Sequence, residues 1–258
     1  MGKTSLLGYT GFVGTTLTQQ TQFDDLYNSK NINELKGKEY DLIVCAAAPA
    51  VKWKANQNAE EDLNNLQLLM NSLKEVKAEF FVLISTVDVY KNPYNVDEDT
   101  IIIPKELEPY GKHRFYLEQF IKEHFSKHLI IRLPGLFGDG LKKNFIYDLI
   151  NNNRFDLTHK DSSFQFYNMI NLWSDIQIAF KNNDSLVNFN SEPVTAFEIA
   201  EYALGLEFNN ITEKSPVYYN MESKYAKNYG GDNRYFKNKS EILEEIKQFI
   251  KVQQSGLS

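Results

Sequence analysis

Short apolar runs recur along the chain at residues 5–7, 42–46, 80–84 and 129–133, each too brief for a helix and each bounded by polar or turn-forming residues. The segments between them read differently. Over residues 62–76, Leu63, Leu66, Leu69, Met70 and Leu73 repeat at the spacing of one helical face, and Leu117, Phe120, Ile121 and His124 do the same over residues 110–125. Strands alternating with helices predict an α/β fold, a doubly wound parallel sheet with helical crossovers. Beyond Pro134 the pattern loosens. Residues 144–151, 172–181, 195–204 and 240–253 read as helices and 186–189 as a strand, whereas residues 92–109, rich in Pro, Asp and Glu, read as a surface loop next to the site. The expected division is a first domain over residues 1–134, joined by later elements at about 186–204, and a mainly substrate-binding part over residues 135–258.

Composition narrows the classes of function. A formal charge of −6 offers no broad basic surface to a phosphate backbone, so nucleic acid is not the expected partner. The single cysteine, Cys45, has no partner for an intrachain disulfide and reads as a small buried strand residue. His124 and His128 stand four apart but span a helix end, and no thiolate or carboxylate set joins them, so no metal is expected. No apolar run reaches membrane-spanning length, and the opening run before Gly8 is too short for a signal-peptide core; the expectation is a cytoplasmic protein without a membrane partner.

Three segments carry chemistry. The first strand runs into Gly8, Gly11 and Gly14, with Thr10, Phe12 and Val13 between them and a helix starting near Phe12. Glycines permit a tight turn and close approach of backbone to a pyrophosphate, and a helix N-terminus supplies free N–H donors, although three glycines also suit a purely structural turn. The strand at 80–84 ends in Ser85, Thr86, Val87, Asp88, Val89 and Tyr90, which places hydroxyls where open α/β sheets bind ligands; strand-end capping is the plainer use of the same residues. Tyr110 and Arg114 lie one turn apart at the start of a helix, with Glu118 a turn later. A cation beside a phenol favours the phenolate, which suits proton exchange with a substrate hydroxyl or carbonyl; packing and a solvated charge account for the pair equally simply.

In this order the segments resemble the extended short-chain dehydrogenase/reductase family, the NAD(P)-dependent sugar-nucleotide epimerases, dehydratases and reductases. The family has a Gly-x-x-Gly-x-x-Gly first turn, a Ser/Thr four residues before the Tyr of a Val-Tyr pair, here Thr86 before Tyr90, and a Tyr-x-x-x-Lys helix, here beginning at Tyr110. Residues 41–49 are similar to its third strand and Ala-Ala turn, residues 132–138 to its fifth strand and following turn, and residues 187–191 to a late strand. The compact length and the run Lys127-His-Leu-Ile-Ile-Arg132 look closest to short 4-keto-sugar reductases of the dTDP-4-dehydrorhamnose reductase type. The resemblance implies a Rossmann domain, a homodimer formed through the helices at 62–76 and 110–125, and a cofactor site made of the glycine turn, Ala46, Ala47, Ala48, Leu133, Pro134, Tyr110 and Arg114. For those helices it implies an interface carrying Leu66, Leu69, Leu73, Leu117 and Ile121, residues that could equally pack on the sheet.

Departures from the family pattern shape the expected activity. Arg114 stands where the family has the lysine that lowers the tyrosine pKa and binds the nicotinamide ribose, and a planar guanidinium is not interchangeable with an ammonium. Family dehydratases follow the active-site Thr with Asp and Glu; Val87 and Asp88 here argue against dehydration. At the end of the second strand Asn28, Ser29 and Lys30 suit a 2′-phosphate better than a ribose diol, which tilts the cofactor toward NADP over NAD. Lys142, Lys143 and Asn144 open a helix after a glycine turn and are candidates, with Thr86 and Asp88, for contacts to a substrate carrying a diphosphate. Trp53, Phe166, Tyr167 and Trp173 suit stacking on a sugar or base, and equally suit a core. The expected activity is 4-keto-sugar reduction with Thr86, Tyr110 and Arg114 as catalytic residues. An epimerase with bound NAD and a non-catalytic dinucleotide sensor or scaffold are the alternatives.

Overall fold

The computed structural model describes residues 2–232 and 234–255, which form two compact units. The first comprises Met1–Lys91, Thr100–Arg132 and Leu172–Val187. Its framework is a six-stranded sheet of β1 (Thr4–Leu7), β2 (Asp25–Tyr27), β3 (Glu39–Cys45), β4 (Lys77–Thr86), β6 (His128–Leu133) and β10 (Leu186–Asn188), ordered β10-β6-β4-β3-β1-β2. The β1–β2, β1–β3 and β3–β4 pairs are parallel, and their registers align Leu7 with Tyr27 and with Cys45, and Cys45 with Leu83. The turns that follow these strands therefore leave the sheet at one edge, the carboxyl edge at which open α/β sheets bind ligands.

Helices α1 (Phe12–Gln20), α2 (Lys52–Gln57), α3 (Ala59–Leu73), α4 (Pro109–His124) and α6 (Leu172–Asn182) complete this unit. The apolar stripes of α3 and α4 meet the sheet: Leu66, Leu69, Leu73, Leu117 and Ile121 are buried in one cluster with Ile43, Cys45, Phe81, Leu83 and Ile130. This corrects the interface expected of those residues, because side chains spent on the core are not available to a second copy. The exposed apolar residues of the two helices are Leu68 and Tyr116. Cys45 lies in the same cluster, as its sequence context suggested, and burial pushes its thiol up to about 11. Below the site a buried network holds β4, α4 and β6 together: Arg132 donates to both oxygens of Glu118 at 3.0 and 2.6 Å and to the Tyr90 hydroxyl at 2.7 Å, and Ser85 donates to Glu118 at 2.6 Å.

The second unit comprises Asn92–Asp99, Leu133–Asn171 and Asn188–Ser258. It carries three short strand pairs: β5 (Tyr94–Val96) with β12 (Asn220–Met221), β7 (Gly135–Phe137) with β9 (Phe166–Asn168), and β8 (Ser163–Phe164) with β11 (Val194–Thr195). Helices α5 (Phe145–Asn151), α7 (Ala196–Leu204) and α8 (Lys239–Ser255) pack around Phe137, Phe145, Phe166, Ile199, Ile246 and Ile250. Of the elements at 186–204 expected to join the first domain, only Leu186 and Val187 do; residues from Asn188 onward fall in the second unit. The surface loop expected at 92–109 is more structured than its polarity suggested. It contains β5 and the buried Glu98, whose carboxylate accepts bonds from Asn188 N at 2.9 Å, Ser223 Oγ at 2.6 Å and Lys224 N at 3.0 Å. Among the described residues no helix is long and apolar enough to cross a membrane.

One glycine sets how close α4 comes to the end of β4. A Cβ on Gly111 would stand 1.9 Å from the Asp88 carbonyl oxygen, so any side chain there pushes the helix off the strand end. Inside an ordinary helix Gly→Ala gains up to about 1 kcal/mol. Here Gly111→Ala should have the opposite sign, and a lower midpoint of urea unfolding than the parent is the expected result.

Candidate functional site

The glycine turn is fixed by two different demands. Gly8 has φ +86°, donates its N–H to Tyr27 O at 2.7 Å, and a Cβ there would lie 2.5 Å from Ala46 O; a Cβ on Gly14 would lie 2.1 Å from Gly8 O. Both are glycine because the chain packs against itself. Gly11 differs: its backbone is extended (φ −82°, ψ 170°), it is exposed, and the nearest atom to a Cβ would be Gly8 O at an ordinary 3.5 Å. Among the described residues nothing requires a glycine there, and the position is open to the approach of a ligand. Gly11 caps α1 without a side-chain bond, and Thr15 N is the first to bond back along the helix, to Gly11 O at 2.8 Å. The N–H groups of Phe12, Val13 and Gly14 thus have no partner within the helix, the arrangement that receives an anion. Thr10 is exposed beside them, and Phe12 and Val13 are half-buried. A dinucleotide diphosphate fits this cradle.

The neighbouring turns share the same edge. Ala46, Ala47 and Ala48 follow β3, with Ala46 N bonded to Leu7 O at 2.8 Å. After β2, Asn28 accepts from Lys30 N at 2.8 Å and donates to the Tyr9 hydroxyl at 3.2 Å, which ties this turn to the glycine turn and leaves Ser29 and Lys30 exposed. The one acid of β2, Asp25, sits at its opposite end, held by Tyr40 at 2.5 Å and Lys3 at 2.9 Å.

At the end of β4, Thr86 accepts from Asp88 N at 3.2 Å and donates to Asp88 Oδ2 at 3.5 Å, and its hydroxyl stands near enough to the phenol of Tyr110, which opens α4, to pull that phenol's pKa down. Tyr110 N in turn donates to Asn56 Oδ1 of α2 at 2.9 Å. Lys52, also on α2, pairs with Asp88 at 2.6 Å. The phenol's pKa is raised: burial is the largest cause, and Asp88 adds to it, while Arg114, Thr86 and Lys52 pull the other way without overcoming it. This corrects the expectation from the four-residue spacing alone, because that spacing carried the cation but not the desolvation.

Arg114 is only 3% exposed and its fork is occupied. Nη1 donates to Asp62 Oδ2 at 2.5 Å and to Tyr110 O at 3.2 Å; Nη2 donates to Asp62 Oδ1 at 2.8 Å and to Pro49 O. The guanidinium stacks 3.9 Å over the centroid of the Tyr110 ring, and its Nε has no hydrogen-bond partner. All four terminal N–H groups are thereby spent on the protein, and the charge lies over the face of Tyr110, not at its hydroxyl. Asp62 also binds His113 Nδ1 at 2.7 Å. Burial pushes the Asp62 carboxyl up, but the bonds from Arg114 and His113 outweigh it and hold the carboxyl below the usual carboxylate range.

Thr86, Asp88, Tyr110, Arg114, the glycine turn, Ala46–Ala48 and Asn28–Lys30 thus belong to one unit, whereas Leu133, Pro134, Lys142, Lys143 and Asn144 belong to the other. Lys142 and Lys143 are exposed; Asn144 is engaged locally, capping α5 through Tyr147 N at 3.1 Å and donating to Leu136 O at 2.8 Å. Of the four aromatics, Trp53 is exposed, Phe166 and Tyr167 are buried, and Trp173 packs edge-on against Phe23 at 5.9 Å. Sequence reasoning missed Lys52, Asn56 and Asp62. The segment around Lys52 lacks apolar periodicity and gave no sign of a helix, and Asp62 looked like any acid in a first helical turn.

A family model described as the NAD dependent epimerase/dehydratase family matches residues 20–161, more than half of the chain. The chain belongs to that family. No curated protein sequence matches it. Among solved structures it is similar to the dTDP-4-dehydrorhamnose reductase of Yersinia enterocolitica, at 15% identity and a TM-score of 0.75, covering 98% of this chain and 100% of the other. It is also similar to the same enzyme of Bacillus anthracis in complex with NADP, at 18% identity, TM-score 0.73 and coverages of 98% and 99%. The UDP-glucose 4-epimerase of Thermotoga maritima with UDP-glucose matches at 14% identity, TM-score 0.73 and coverages of 99% and 100%. These likenesses show a shared Rossmann-type fold.

The Asp62–Arg114 pair makes a stability prediction. Arg114→Met leaves a buried carboxylate with His113 alone and should cost about 3–5 kcal/mol in urea unfolding. Adding Asp62→Asn should recover part of that loss, since the stranded charge is then gone; a double variant no more stable than the single would contradict the assignment. Because Asp62 is depressed in the folded state, the pair's contribution should be present above the unfolded carboxylate value of about 4 and be lost as pH falls through the lower native value.

Proposed function

We propose that the protein uses a nicotinamide dinucleotide to reduce a keto group on a nucleotide-linked sugar, most simply at the 4-position. The observation that carries this reading is the placing of the Thr86 hydroxyl and the Tyr110 phenol, which acts with it, at the same sheet edge as the open cradle at Gly11. When bound, the cofactor supplies the hydride. Tyr110 supplies the proton, and its raised pKa keeps that proton on the phenol at neutral pH, as an acid for carbonyl reduction requires. Thr86 donates to the carbonyl oxygen and aligns it with Tyr110. The N–H groups of Phe12, Val13 and Gly14 receive the diphosphate, and exposed Ser29 and Lys30, with no acid at the end of β2, favour NADP over NAD. Family membership and the NADP complex of the Bacillus anthracis reductase support the cofactor, and the two dTDP-4-dehydrorhamnose reductases support the substrate class.

Arg114 has a smaller part than the sequence suggested: a cation over the ring of Tyr110 and a clamp on Asp62, with no terminal N–H left for a ribose. That same observation favours a second reading, a dinucleotide-binding protein without turnover.

Two variants test the reading. Gly11→Ala should fold as the parent does, because its Cβ meets only an ordinary contact, and yet bind NADPH more weakly in calorimetric titration. Tyr110→Phe should lower turnover of an accepted keto-sugar nucleotide about a hundredfold or more while leaving NADPH affinity nearly unchanged. Wild-type turnover in Tyr110→Phe would remove Tyr110 as the acid; tight NADPH binding with no turnover of dTDP- or UDP-linked keto-sugars by the parent would establish the second reading.

A further inference from the structure

Giving up its proton leaves Tyr110 with a negative charge in a buried site that already holds the Asp88 carboxylate. Arg114 is poorly placed to balance it. Its guanidinium lies over the ring face, and its charge is shared with Asp62 through two hydrogen bonds. His113, the other titratable group on this face of α4, is likewise bound to Asp62. The remaining charges bearing on the phenol are Asp88, from the turn after β4, and Lys52, from α2.

We propose that Lys52 is the positioning residue that supplies positive charge to the Tyr110 phenol, and that its 2.6 Å ion pair with Asp88 holds it there. The inference rests on the reading of Tyr110 as the acid. Two hydrogen bonds and one helical turn build the arrangement. Asn56 Oδ1 accepts from Tyr110 N at 2.9 Å, so α2 is fastened to the first turn of α4. The same helix carries Lys52 four residues earlier, on the adjoining turn. Asp88 is bonded through its backbone N–H to the Thr86 hydroxyl, and both residues act on the phenol, so the ion pair is anchored in the turn against which Gly111 brings the first turn of α4. The Lys52 side chain keeps 48% of its surface exposed, which lets it follow the charge as it moves from Asp88 toward the phenolate without the desolvation that fixes Arg114.

The test needs neither substrate nor cofactor, so its failure is separable from failure of the proposed reduction. Protein labelled with 13C at the tyrosine ζ carbon reports phenol ionisation directly, and Tyr110→Phe identifies the Tyr110 resonance by its loss. Titration through the alkaline range, with circular dichroism confirming the fold at each pH, should show Tyr110 ionising at higher pH in Lys52→Met than in the parent and at lower pH in Asp88→Asn, with Lys52→Arg close to the parent. Opposite displacements from the two members of one surface ion pair are what a charge role gives and a merely structural role does not. A Tyr110 titration unchanged in Lys52→Met, or displaced in the same direction by Lys52→Met and Asp88→Asn, would overturn the proposal.

Discussion

Parallel pairing forces strand ends into register, and the candidate site depends on that constraint. Leu7, Tyr27, Cys45 and Leu83 stand opposite one another across β2, β1, β3 and β4. The glycine turn, the Asn28 turn, the alanine turn and the Thr86–Asp88 turn consequently emerge along one edge. The buried Glu118–Arg132 network ties β4, α4 and β6 together behind it. With the strand ends held this way, Gly8 closes against Ala46 and Gly111 brings α4 to within contact of Asp88, so both glycines follow from backbone meeting backbone. Gly11 is the exception: it is exposed, and a side chain there would meet only an ordinary contact.

Charge balance around Tyr110 is the second organising feature. The phenol lies among two ion pairs, Arg114 with Asp62 and Lys52 with Asp88, one sealed and one half-exposed. The sealed pair fixes geometry: its fork binds the backbone at Pro49 and Tyr110 as well as Asp62, and so joins α3 and α4 to the turn after β3. Burial nonetheless dominates, and the phenol keeps its proton to higher pH than a free tyrosine. A site of this kind suits proton donation, the direction that carbonyl reduction needs.

The sequence made the sheet legible because its strands are short apolar runs and α3 and α4 have unbroken apolar stripes. The glycine turn, Thr86 and Tyr110 were legible as a family pattern. Other features were not. The helix α2 has few apolar residues and lies in no stripe, so Lys52 and Asn56 gave no signal. The partner of Arg114 is 52 residues away on α3, a pairing that no local spacing encodes. Glu98 lies in a stretch whose polarity reads as a surface loop, because its burial depends on donors at Asn188, Ser223 and Lys224 far along the chain. The leucines of α3 and α4 illustrate a different gap: an apolar stripe states that a face is covered, and the fold alone decides that the cover is the sheet.

In the proposed function the carboxyl edge of this sheet binds a nicotinamide dinucleotide with its reactive ring facing Tyr110. A crystal structure of the protein grown with NADPH addresses it most directly. The diphosphate is expected against the N–H groups of Phe12 and Val13, with the nicotinamide beside Thr86 and Tyr110. NADPH seated away from the Gly11 turn, or no bound dinucleotide at millimolar concentration, would contradict it.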